Sequence, residues 1–126
     1  MRIYRTKGFS RFQRRERIAD RMLTLTVQAM EDGLIDADLG GGLVKQRVAR
    51  PGQGKRGGFR TVIVWRRGDI AIFLFGFAKN DRANVDDDEL DELRTIARAF
   101  LGLQASEIEA LRDQGAITEV IDDENP

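Results

Sequence analysis

The chain has 126 residues, a formal charge of zero, no cysteine and no histidine. That length suits one domain, which buries roughly two-thirds of the surface its unfolded chain exposes. Without cysteine there is no disulfide or thiolate zinc site. Without histidine there is no Ser-His-Asp or Cys-His catalysis, which leaves Lys, Arg, Asp, Glu and Tyr4 for proton transfer. The neutral total hides two opposed halves: residues 1–82 carry 18 Lys and Arg against 8 Asp and Glu, and residues 83–126 carry 3 against 13. Such a split points to a basic surface for an anionic partner, nucleic acid first, beside an acidic segment that is solvated or packs on it. No apolar run approaches a membrane span and residues 1–5 lack the core of a signal peptide, so a soluble cytoplasmic protein is expected.

Residues 2–5 read as a short edge strand. Ser10 and Gln13 fit a capping box opening a helix from Phe12 to about Ala19, whose arginines Arg11, Arg14, Arg15 and Arg17 are either a solvated face or a nucleic-acid contact. Asp20 is placed to cap a second helix in which Leu23, Val27 and Met30 form a core stripe that Gly33 ends. Residues 34–42 read as a loop, and 43–49 as a strand with Lys45 and Arg47 on one face and Val44 and Val48 on the other. After a loop over 51–58, a second strand covers 59–65. Gly68-Asp69 then turns into a third, 70–77, apolar on both faces and therefore central. Asp86 to Glu89 open an acidic helix whose buried stripe is Leu90, Leu93, Ile96, Ala97, Phe100 and Leu101. Ser106-Glu107-Ile108-Glu109 reads as a second capping box, opening a short helix that Gly115 stops, residues 117–121 add a strand, and 122–126 form an acidic, disordered end to a domain spanning 1–121.

The densest chemistry lies in residues 43–60, which hold six cations (Lys45, Arg47, Arg50, Lys55, Arg56 and Arg60), four glycines, Pro51 and no carboxylate. A glycine-rich connection between two β-branched runs lets backbone N–H groups and long basic side chains approach a polyanion closely. Gly52 to Gly57 spell G-x-G-x-x-G, but a strand follows where a dinucleotide fold needs a helix, so this is a basic hairpin and no nucleotide pocket. RNA carries its own nucleophile in the 2′-hydroxyl. Cutting it needs proton transfer and cations around a phosphorane, which Lys and Arg supply without a metal, cofactor or protein nucleophile. Spacing alone does not separate cleavage from binding.

Three blocks carry a resemblance: Gly41 to Ala49, Gly54 to Thr61, and the strand end Gly76-Phe77-Ala78-Lys79-Asn80-Asp81. Together, over about residues 9–102, they resemble the RelE/ParE superfamily of toxins, and within it the HigB-like branch of bacterial toxin–antitoxin pairs. The resemblance implies an α+β fold in which N-terminal helices and a C-terminal acidic helix pack with a small antiparallel sheet of about four strands. It implies ribosome-dependent cleavage of mRNA and neutralisation by a cognate antitoxin, with no membrane partner. Carried over residue by residue, Lys45 and Arg47 grip RNA and help transfer the proton, Arg60 stabilises the scissile phosphate, and Lys79 lies in the strand-end block. Arg50, Lys55, Arg56 and Asn80 are the further phosphate contacts. The RelE pattern has an arginine at the position of Asn80 and a tyrosine shortly after, absent here, which leaves the general acid unassigned. A ParE-like poison of DNA gyrase and a non-catalytic RNA- or ribosome-binding module stand as the alternatives.

Overall fold

The computed structural model describes residues 1–50, 54–78 and 84–121, with the side chains of 50 and 54–57 left aside. In chain order the elements are β1 (Arg2–Thr6), α1 (Lys7–Arg15), α2 (Asp20–Glu31), β2 (Ala37–Gly40), β3 (Leu43–Arg50), β4 (Gly54–Arg66), β5 (Ile70–Ala78), α3 (Asp87–Leu101), α4 (Ala105–Asp113) and β6 (Ile117–Glu119). The six strands form one sheet in the order β2-β3-β4-β5-β1-β6, antiparallel except where β1 runs parallel to β5. The α+β class holds, with six strands where about four were expected. No described helix is long and apolar enough to cross a membrane.

Alternation along the strands builds two cores, one on each face of the sheet. On one face Phe9, Phe12, Leu23, Val27 and Met30 of α1 and α2 pack on Val44, Val48, Phe59, Ile63 and Phe73. On the other, Leu93 and Ala97 of α3 and Ile108 of α4 pack on Leu43, Val62, Val64, Ile72 and Tyr4. β5 is central and apolar on both sides, as its composition required. A bulge at Leu74 shifts its register between Val62↔Phe75 and Ile63↔Phe73.

β1 is no edge strand. It lies between β5 and β6 because Ile3 faces the first core and Tyr4 the second, so both its faces are buried. α1 begins at Lys7, not Phe12, since Thr6 at the strand's end caps it by accepting the Phe9 N–H at 3.2 Å, and Ser10 instead accepts from Arg5 Nε at 3.1 Å. Ala19 is the N-cap of α2, and the Asp20 carboxylate binds Arg5 Nη1 at 2.9 Å and Gln13 Nε2 at 2.7 Å, tying β1, α1 and α2 together. Within the expected loop, β2 pairs with β3. On α3, Asp86 and Glu89 form a reciprocal capping box, which accounts for acidic residues at that terminus. Ile96 departs from the stripe at 42 % exposure. At α4 the Glu107 carboxylate accepts the N–H of Gln104, so the cap sits two residues before Ser106.

Three of the four described helices stop in one way, with paired N–H groups of the second and third residues beyond the helix returning to carbonyls of the last turn. After α2 these are Gly33→Met30 and Leu34→Ala29, after α4 Gly115→Arg112 and Ala116→Leu111, and after α1 Arg17→Arg14 and Ile18→Gln13. The first two use a glycine in the left-handed region. α1 uses Arg17, at φ 56°, which is why no glycine announced its end.

Candidate nucleic-acid interface

The hairpin of β3 and β4 divides its residues between the two cores with a period of two. Val44, Gln46 and Val48 point toward α2, and Leu43 faces α3. Lys45 and Arg47 share Leu43's side, as the sequence pattern required. Register then brings in the other strand: Lys45 lies opposite Val62, and Arg47 lies directly opposite Arg60, which in turn opposes Phe77 on β5. Two arginines opposed across an antiparallel pair sit roughly 4.5–5.5 Å apart at the backbone and repel each other, a cost that an anion between them removes.

α3 covers only part of this face. Arg94 Nη2 bonds the Leu39 carbonyl at 3.0 Å, Leu101 packs where a side chain at Gly42 would stand, and Asn84, ahead of the helix, meets Lys45 Nζ at 3.4 Å. Among the described residues, the polar contacts of this segment on β3 reach as far as Lys45. Beyond, Lys45, Arg47 and Arg60 line an open depression of about 250 Å³ with Asp36 and Ala37. That is below the roughly 300–1,000 Å³ of small-molecule pockets, and suits a phosphate group better than a cofactor. A larger depression, about 560 Å³ between α2 and the β1/β6 end, mixes Arg21 with Glu31 and Glu119 and gathers no comparable set of cations.

The cations are held differently. Arg47 Nε is 3.5 Å from Asp36 Oδ2, and the same oxygen accepts the Arg47 backbone N–H at 2.7 Å. Arg60 has one guanidinium nitrogen, Nη1, buried with no hydrogen-bond partner among the described residues. A buried donor left unmade costs about 1–3 kcal/mol, more when charged, so an acceptor that reached this atom would be favoured. The acidic half reaches the basic half elsewhere: Arg2 bonds Glu109 at 3.0 Å and Glu119 at 3.1 Å, far round the sheet on β1, α4 and β6.

Gly58 keeps the hairpin arms close at this end. A Cβ there would stand 2.1 Å from the Val48 carbonyl oxygen, which backbone cannot vacate. Of the residues picked out by sequence, Lys45, Arg47 and Arg60 come together. Lys79 and Asn80, and the side chains of Arg50, Lys55 and Arg56, lie outside the described residues. Tyr4 leaves the group available for proton transfer, because it is 0 % exposed in the α3/α4 core and burial raises its phenol above the ordinary range. The sequence reading missed Asp36. Its position eleven residues before Arg47 marks it in no motif, and only the turn of β2 back onto β3 brings it to the site.

Lys45, Arg47 and Arg60 thus gather positive charge around a depression of a size for an anionic group. The family model described as the RelE toxin of the RelE/RelB toxin–antitoxin system matches residues 1–120, and the chain belongs to that family. No curated protein matches it significantly.

Proposed function

We propose that this toxin is an endoribonuclease that cuts mRNA on the ribosome and so stops translation, and that a cognate antitoxin partner restrains it. The observation that carries the reading is the Arg47–Arg60 pair, opposed in register beside the depression, with Arg60 Nη1 buried and without a hydrogen-bond partner among the described residues. A scissile phosphodiester between the two arginines would relieve their repulsion and give the Arg60 guanidinium an acceptor. Both effects grow as the phosphorane gains negative charge, which is the condition for catalysis rather than mere binding.

The nucleophile is the 2′-oxygen of the substrate. Arg47 and Arg60 hold the non-bridging oxygens, and Lys45 carries proton transfer at the edge of the depression. Arg50, Lys55 and Arg56, with Lys79 and Asn80 after β5, extend the footprint along the RNA backbone, where contacts position the strand without reading its sequence.

Primer extension on a defined mRNA, incubated with the purified protein with and without translating ribosomes, tests this. Cuts in register with codons and only in the presence of ribosomes are expected. Cuts without ribosomes would make it a free ribonuclease. Intact message in both, with stalled ribosomes or with DNA damage, would replace the reading by a binding module or a gyrase poison.

A further inference from the structure

The proposed reaction needs a group to take the 2′-hydroxyl proton, and an ammonium or guanidinium cation has no lone pair with which to take it. The chain has no histidine, and its one tyrosine is sealed in the opposite part of the α3/α4 core. Among the described residues lining the depression, the one proton acceptor is the carboxylate of Asp36.

Asp36 is held as a catalytic group is held. Its backbone N–H donates to Gln46 Oε1 at 2.7 Å, and Gln46 Nε2 donates to the Leu34 carbonyl at 3.1 Å. Gln46 itself is buried beneath α2, so the segment that leads into β2 is locked from the far side of the sheet. The side chain then spends only one of its oxygens. Oδ2 caps the Arg47 N–H and faces Arg47 Nε, whereas Oδ1 takes no hydrogen bond among the described residues.

The backbone cap and the ion pair with Arg47 both fall on Oδ2 and leave Oδ1 turned to the site. Asparagine would keep the cap, and the exposed ion pair it loses is worth about 0–1 kcal/mol. Retaining a carboxylate in a depression built from three cations opposes binding of the ligand, and makes sense where the charge itself is used.

We propose that Asp36 is the general base of this site, an assignment that rests on the ribonucleolytic reading above. Its Oδ1 takes the proton of the 2′-hydroxyl as the 2′-oxygen bonds to the adjacent phosphorus. The bond from phosphorus to the 5′-oxygen breaks, its electron pair stays on that oxygen, and the Lys45 ammonium supplies the proton. The products are a 2′,3′-cyclic phosphate and a 5′-hydroxyl. A net proton transfer through water from the Asp36 carboxyl to the Lys45 amine restores the site. A carboxylate flanked by arginines thus does what a histidine pair does elsewhere.

The test compares wild type, Asp36→Asn, Asp36→Glu and Arg60→Ala as full chains in single-turnover cleavage of a defined mRNA on ribosomes, with ribosome affinity and thermal melting measured alongside. Asparagine keeps an oxygen for the Arg47 N–H but cannot act as base. Asp36→Asn is expected to cut about 10²- to 10⁴-fold more slowly, with unchanged melting and affinity equal to or tighter than wild type, and Asp36→Glu to regain part of the rate. Asp36→Asn within about threefold of wild type, while Arg60→Ala is inactive, would overturn this assignment alone. A wild type that leaves message intact would overturn both it and the nuclease reading.

Discussion

The α3 side of the β3–β4 hairpin has two halves, built from the same strands by the same alternation, that end up chemically opposite. In one, Leu43, Val62 and Val64 lie under Leu93 and Ala97 of α3 and are fully buried. In the other, further along the same rows, Arg47 and Arg60 line an open depression. The strands do not distinguish the halves; the reach of one helix does. Where α3 covers the sheet, side chains serve stability, and beyond its described contacts the same pleat turns cations toward the depression. Lys45, opposite Val62 and touching Asn84, marks the boundary.

The largest expected effect comes from moving the boundary. Val62→Lys buries an unpaired cation under α3. An uncompensated buried charge costs several kcal/mol, comparable with the total stability of a domain this size. The variant is expected to show no cooperative unfolding transition by circular dichroism, whereas Lys45→Val, the reverse change on the same row, should fold with an unchanged or raised melting temperature.

Gly58→Ala tests the hairpin's closeness. With Cβ 2.1 Å from a carbonyl oxygen, the arms must part, at about 1–3 kcal/mol by analogy with overpacked sites. Urea unfolding should register that loss together with reduced cleavage, since Arg60 moves relative to Arg47.

A smaller effect checks that the covered half is purely structural. Tyr4 has a hydroxyl buried without a hydrogen-bond partner among the described residues, and burial raises its phenol. A raised folded-state value favours the neutral form, so the stability it carries is present below the ordinary phenol range and is lost as pH rises through the folded value. Tyr4→Phe should leave cleavage untouched and be neutral or stabilising by about 1 kcal/mol near pH 7. Urea melts taken up to about pH 11 should show the alkaline decline of the wild type flattened. Arg17→Gly, at the left-handed stop of α1, is expected to add roughly 1 kcal/mol by relieving the Cβ strain, read in the same melts.

The features that sequence made legible depend on short-range periodicity or local chemistry. The period of two put Lys45 and Arg47 on one face and Val44 and Val48 on the other, and the structure keeps that division. The stripe Leu23, Val27 and Met30, the stops at Gly33 and Gly115, and the acidic cap at Asp86 follow from local rules of the same kind. What stayed hidden depends on contacts distant in sequence. β1 looks like an edge strand until Ile117–Glu119 returns from the far end of the chain to pair with it. β2 has no strand pattern, because its lead-in is fixed by the side chain of Gln46, ten residues on from Asp36. Arg17 ends a helix where a glycine was the expected signal. Asp36 escaped for the same reason as β2: in sequence it is one acidic residue in a loop, and only β2–β3 pairing turns it into a neighbour of Arg47 and Arg60.

The central claim is that the open half acts on RNA while the covered half only supports it, and Arg60→Ala tests that claim most directly. Cleavage of ribosome-bound message and thermal melting are measured on the same preparation of variant and wild type. The account predicts a loss of cleavage of about 10²- to 10³-fold or more, as for removal of a donor to a developing negative charge, with a melting temperature equal to wild type or higher, because a buried nitrogen without a partner among the described residues has gone. A folded Arg60→Ala protein that cuts at the wild-type rate would contradict it.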